Sequence, residues 1–95
     1  MDKTPDWSLF EAFLVVAEGG SLSEAARTLG TSQPTLGRHV ASLERELGLE
    51  LFHRHPKGLS LTEDGLAILP RAREMREAVN GIALAAAGRE ADLSG

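Results

Sequence analysis

Glycine punctuation constrains this chain more than any other feature. Gly19-Gly20, Gly30 and Gly48 divide the first 48 residues into three stretches, and each stretch carries an apolar stripe of helical period. Phe10, Phe13, Leu14 and Ala17 form the first stripe, Leu22, Ala25, Ala26 and Leu29 the second, and Leu36, Val40, Leu43 and Leu47 the third. Start signals precede each one. Thr4 reads as an N-cap, with Pro5 at the first helical position and Asp6 in the first turn. Ser21 and Glu24 form a capping-box pattern, each able to satisfy the other's free backbone donor. Thr31 or Ser32 caps the third helix, with Pro34 in its first turn.

After Gly48 the period changes. Leu49 and Leu51, then Leu59 and Leu61, alternate with other residues as strands do, on either side of His55-Pro56-Lys57-Gly58. Pro56 and Gly58 are turn formers, which predicts a small hairpin with Arg54 and Lys57 at or near its tip. Thr62-Glu63-Asp64 opens a last helix with a cap and two first-turn acids. Its apolar residues Ile68, Ala72, Met75, Val79, Ile82 and Ala86 are spaced 4-3-4-3-4, a coiled-coil-like seam that predicts dimerisation. From about Glu63 to Ala87 that helix would be roughly 38 Å long, with Pro70 a point where it can bend.

The expected fold class is therefore mainly α: a winged helix-turn-helix of three helices and a short β-hairpin wing, followed by a long dimerisation helix. The expected boundaries are a winged helix-turn-helix domain over 1–62 (helix-turn-helix about 21–48, wing about 50–61), a linker and dimerisation helix over 63–88, and a flexible tail over 89–95. Ninety-five residues suffice for one core and not for two. The N-terminus has neither the basic nor the apolar region of a signal peptide, no stretch approaches a membrane span, and cysteine is absent. A cytoplasmic setting, close to the nucleoid, is the expectation.

A net charge of −4 argues at first against nucleic acid, but its distribution argues for it. Between Arg27 and Lys57 the five cations Arg27, Arg38, Arg45, Arg54 and Lys57 face the three anions Glu44, Glu46 and Glu50, and all three histidines lie in the same window. A basic island in an acidic chain is compatible with a DNA-contacting face. Opposite its apolar stripe the third helix carries Pro34, Thr35, Arg38, Ser42 and Arg45, with His39 on the flank. Gln33 has the groups to pair with adenine, Arg38 with guanine, and Thr35 or Pro34 to touch a thymine methyl. The N–H groups at the start of that helix suit a phosphate, and Arg54 and Lys57 on the wing suit the backbone or an adjacent minor groove.

The run from Phe10 to Ala26, ending Glu18-Gly19-Gly20-Ser21-Leu22-Ser23-Glu24-Ala25-Ala26, resembles the start of a LysR-type transcriptional regulator. Ser32-Gln33-Pro34-Thr35-Leu36, Leu43-Glu44, Glu46-Leu47-Gly48, Leu51-Phe52-His53-Arg54 and Leu61-Thr62-Glu63-Asp64-Gly65 extend the resemblance in order, from about Trp7 to Ala87. It implies an N-terminal DNA-binding domain whose linker helix pairs antiparallel with a partner's, giving a homodimer on an interrupted inverted repeat of double-stranded DNA. It implies base contacts from Gln33, Pro34 and Arg38, and contacts on or near the backbone from Thr31, Ser32, Arg54 and Lys57. Thr35, Gly37 and His39 complete the expected base-facing set and Ser42 the backbone set. Two residues depart from the pattern: Gly37 stands where the family usually has Ser, and His39 where Gln is common. The effector-binding domain that follows the linker helix in that family is not in this sequence, so the chain is expected to be either part of a longer regulator or a regulator that stands alone.

Other classes fit less well. A winged-helix module for protein association would use the long seam but leave the basic face idle. His53 and His55, two apart on a strand, lack the cysteines or acids that would complete a metal site. With no nucleophile–base pair, phosphate loop or paired carboxylates in a plausible cleft, neither catalysis nor a cofactor is expected. Only four aromatic residues are present, which argues against single-strand binding.

Overall fold

The computed structural model describes residues 5–94, with side chains described through Arg89. Its elements follow the order α1 Trp7–Gly19, α2 Leu22–Leu29, α3 Gln33–Leu47, β1 Phe52–His55, β2 Gly58–Leu61 and α4 Glu63–Ser94. That is the winged helix-turn-helix with a long C-terminal helix that the sequence predicts. The three short helices bury their stripes together. Phe13, Leu14 and Val16 of α1, Leu36, Val40 and Leu43 of α3, and Leu51 form the centre. Ala25 and Ala26 are the buried residues of α2, and their small side chains let α3 pack close across it. The antiparallel hairpin pairs Phe52 with Leu61 and His55 with Gly58, leaving Pro56 and Lys57 as the turn. Phe52 anchors it to the core, its ring 5.5 Å from that of Phe13.

Local starts and stops mostly follow the sequence, with three corrections. Asp6 is the N-cap residue of α1, with no side-chain capping bond, and Pro5 stands outside the helix; Thr4 lies outside the described residues. Starting at Trp7 gives that ring a helical position from which it packs, half-buried, on the core. The capping box of α2 is half made. Ser21 Oγ accepts from the Glu24 backbone N–H at 3.2 Å, but the Glu24 carboxylate pairs with Arg27 at 2.6 Å, a charge-assisted bond that outcompetes a neutral donor. Helix α4 runs on to Ser94, past the expected end near 88, because Ala-rich sequence and the helix formers after it outweigh the single Gly88. The rest of the expected loose tail, the side chains from Glu90 and all of Gly95, lies outside the described residues.

The apolar seam of α4 divides in two. Ala72 is only 1% exposed and belongs to the core, and Ile68 packs against that core; Met75 is half-buried. These three were expected in a dimer seam, but α4 crosses α1 through its first half and spends that face within the chain. Beyond it Val79 is 38% and Ile82 71% exposed, and Ala86 is exposed as well. The α1–α4 crossing is clamped by charge. Glu18 takes both terminal nitrogens of Arg76, at 2.9 and 2.7 Å, and Nε of Arg73 at 3.3 Å. The Arg76 hydrogen bond holds the Glu18 carboxyl below its usual range, and the same bond raises Arg76.

One helix continues through Pro70. The carbonyl that loses its donor there belongs to Leu66, on an exposed turn where water can replace the missing N–H. Gly65 sits where α4 meets the wing: a side chain there would strike the Leu51 carbonyl and come within 2.8 Å of Leu61 Cδ2. Thr62 caps this junction, donating from Oγ1 to the Glu50 carbonyl at 2.6 Å and accepting from the Gly65 N–H at 2.9 Å. Among the described residues no helix is long and apolar enough to cross a membrane.

Candidate nucleic-acid interface

The turn between α2 and α3 is built from local rules. Gly30 closes α2 in the left-handed region (φ 67°), where a side chain would be strained, and the Thr31 N–H then reaches the Ala26 carbonyl at 3.0 Å. Ser32, one of the two sequence-level cap candidates, is the cap of α3: its Oγ accepts from the Thr35 N–H at 3.2 Å. From there the helix turns its apolar stripe inward. Gln33, Pro34, Arg38 and Arg45 are exposed, while Thr31, Thr35, Gly37, His39 and Ser42 are half-buried along its edges.

The wing is held against α3 by a residue with no signal of this role in the sequence. Glu44 Oε2 accepts from the backbone N–H groups of Leu51 and Phe52, at 2.8 and 3.3 Å. Its own carbonyl accepts from Gly48 and Leu49, so one residue organises the whole passage from helix to strand. As a result the wing tip stands beside the start of α3. Gln33, Ser21 and Ser23 line a shallow groove, open to solvent, whose opposite wall is the wing from Arg54 to Leu59.

The expected contact residues divide accordingly. Gln33, Pro34, Arg38, Arg54 and Lys57 are exposed on this side; Gly37 is half-buried beside α2, with Leu22 Cδ1 4.0 Å from where a Cβ would stand. His53 and His55 lie on the exposed strand β1, with His55 Nε2 2.7 Å from Ser60 Oγ, and no group of three metal-ligating residues occurs among the described residues.

Charge is segregated. Arg27, Arg71, Arg73 and Arg76 are each paired with a carboxylate. Among the described residues Arg38, Arg45, Arg54 and Lys57 have no carboxylate within ion-pair distance; Arg38 and Arg45 bond only to the hydroxyls of Thr35 and Ser42. Four cations with no carboxylate partner among the described residues thus share α3 and the wing. Arg45 was placed on this helix face by periodicity but not counted among the expected contacts.

The family profile described as "Bacterial regulatory helix-turn-helix protein, lysR family" matches residues 7–66, the span from α1 to the start of α4. This chain belongs to the LysR family. Over 90 residues it is 38% identical to an uncharacterized HTH-type transcriptional regulator of Azotobacter vinelandii, covering 95% of this chain and 62% of the relative. Over 91 residues it is 40% identical to a probable hydrogen peroxide-inducible genes activator of Mycobacterium xenopi, covering 96% of this chain and 48% of that one. The chain thus spans about half the length of these relatives. Among solved structures, OxyR of Corynebacterium glutamicum with hydrogen peroxide bound superposes with a TM-score of 0.87 at 29% identity, over 90% of this chain and 26% of its own. The CbnR DNA-binding domain in its DNA complex superposes with a TM-score of 0.80 at 32% identity, over 88% of this chain and 97% of that one. These LysR-family likenesses cover the winged helix-turn-helix and much of α4.

Proposed function

We propose that this chain is the sequence-specific, double-stranded-DNA-binding part of a transcriptional regulator that acts as a homodimer in the cytoplasm, at the nucleoid. Helix α3 enters the major groove, and the hairpin lies beside it on the backbone or the adjacent minor groove. The observation that carries this reading is the charge segregation. Among the described residues Arg38, Arg45, Arg54 and Lys57 share α3 and the wing without a carboxylate partner, whereas Arg27, Arg71, Arg73 and Arg76 are already held by carboxylates. Unpaired cations on one face are what neutralising phosphates requires. The CbnR domain with the same fold was crystallised on DNA, which supports the same reading.

Gln33, Pro34 and Arg38 are the base-reading residues, with Arg38 suited to guanine O6 and N7 and Gln33 to adenine. His39 flanks them. Thr31, Ser32, Arg54 and Lys57 meet the backbone. The DNA-binding unit ends near Thr62, and α4 from Glu63 onward links and dimerises through Val79, Ile82 and Ala86, the exposed part of its seam. No catalytic step, metal or cofactor enters this reading.

The test is selection of the chain against a randomised duplex pool at two salt concentrations, with Arg38→Ala in parallel. An interrupted inverted repeat is expected to enrich. Arg38→Ala is expected to cost ~1–3 kcal/mol and relax choice at one base pair, and Lys57→Ala to weaken all sequences alike and lower the salt slope by about one. A pool without enrichment, with self-association intact, refutes the reading in favour of a protein-association module.

A further inference from the structure

The outer face of α3 repeats one arrangement. Arg38 Nη2 donates to Thr35 Oγ1 at 3.2 Å, and Arg45 Nη2 donates to Ser42 Oγ at 3.2 Å. In each case a hydroxyl stands three residues before an arginine, the spacing that puts both on one side of a helix. The two units are seven residues apart, two turns or about 10 Å along the axis. Both hydroxyl residues are half-buried and both arginines are exposed. Thr35 is tied further, because Ser32 Oγ donates to Thr35 Oγ1 at 2.9 Å while accepting the Thr35 backbone N–H. Both acceptor positions of the Thr35 oxygen are therefore filled, and the helix cap and the Arg38 guanidinium belong to one network. A long side chain that is free in solution loses rotamer freedom when it docks; one already held at the groove face loses less.

We infer that Thr35 and Ser42 are positioning residues, which hold Arg38 and Arg45 as two prealigned guanidiniums on the DNA-facing side of α3. The inference rests on placing α3 in the major groove. It gives Thr35 a role through Arg38 in place of its own contact with a base. It also adds Arg45 as a phosphate contact, two helical turns beyond the base read by Arg38.

The test uses the whole chain and the duplex that it enriches from the randomised pool. Thr35→Val removes the acceptor while nearly keeping the shape, and leaves the Ser32 cap bond to the backbone in place. It is expected to weaken binding about fivefold, the loss for one ordinary hydrogen bond. Thr35→Ser is expected to restore affinity, with an unchanged melting temperature throughout. In an Arg38→Ala background the same Thr35→Val change is expected to cost less than about twofold, since its partner is gone. Ser42→Ala is expected to behave in the same way toward Arg45→Ala, with a loss that is equal for enriched and scrambled duplexes. A Thr35→Val loss of the same size with and without Arg38 overturns the inference, because the hydroxyl would then touch DNA itself. So does an undiminished affinity of Thr35→Val. If Arg38→Ala binds the enriched duplex as wild type does, the major-groove assignment itself has failed, and the inference falls with it.

Discussion

Replacing Glu44 by alanine isolates the device that attaches the wing to α3. The side chain supplies one oxygen to two backbone donors, Leu51 at 2.8 Å and Phe52 at 3.3 Å, across seven and eight residues of sequence. A hydrogen bond to a charged acceptor contributes ~1.5–3 kcal/mol, and a donor stranded away from water costs a similar amount. The Leu51 bond counts fully, because Leu51 is completely buried and water reaches its N–H poorly. The Phe52 bond is longer and counts for less. Together they put Glu44→Ala at about 3 kcal/mol of lost stability. Glu44→Gln keeps an acceptor oxygen without the charge, which roughly halves a bond of this kind, so it is expected to cost about 1 kcal/mol. Urea unfolding followed by circular dichroism measures both, and hydrogen exchange at Leu51 and Phe52 reports whether the loss is local to the wing. A Glu44→Ala protein within about 0.5 kcal/mol of wild type would refute the reasoning. The hairpin would then be held by the packing of Leu51, Phe52, Leu59 and Leu61 on the core and by the Thr62 junction.

Gly37→Ala is expected to stabilise the protein by about 1 kcal/mol, since the new methyl meets only Leu22 Cδ1 at ordinary contact distance; the melting temperature checks it. Gly65→Ala is expected to do the reverse, losing ~3 kcal/mol or more in the same unfolding assay, because its Cβ would press on the Leu51 carbonyl, which cannot move without the strand. The pH dependence of stability reports the Glu18 clamp. Its folded pKa lies below the unfolded value, so its contribution is complete above the ordinary carboxylate range and is lost as pH falls through the folded pKa. A melting-temperature series in acid is expected to show that loss in wild type and a shallower slope in Glu18→Gln. Ile82→Glu, at a site 71% exposed in the single chain, is expected to abolish the proposed dimer in sedimentation without lowering monomer stability.

Most of the helix-turn-helix is legible in the sequence because it is written in short-range chemistry. The Ser21 and Ser32 caps, the Gly30 and Gly48 stops and the stripes of α1, α2 and α3 each depend on residues within a turn or two of one another. The turn residues Pro56 and Gly58 and the alternation of Leu59 and Leu61 foretell the hairpin, but Leu49 and Leu51, read as strand, precede β1, because the buried Leu51 belongs to the passage that Glu44 holds. The basic island, too, is visible by counting along the chain.

What the sequence by itself determined is this set of elements, their order and the polar side of α3, because periodicity and capping act over three or four residues. The tertiary structure alone decided that Arg73 and Arg76 are taken up by a carboxylate, since Glu18 finds them across 55 and 58 residues. It decided that Gly37 stands beside Leu22 of α2 and that Glu44 steers the wing. It also divided the α4 seam, placing Ala72 in the core and leaving Ala86 exposed, although the two stand two heptads apart at equivalent positions in the repeat. A repeat states which residues share a helix face; only the packing of that helix against another fixes how much of the face is already covered.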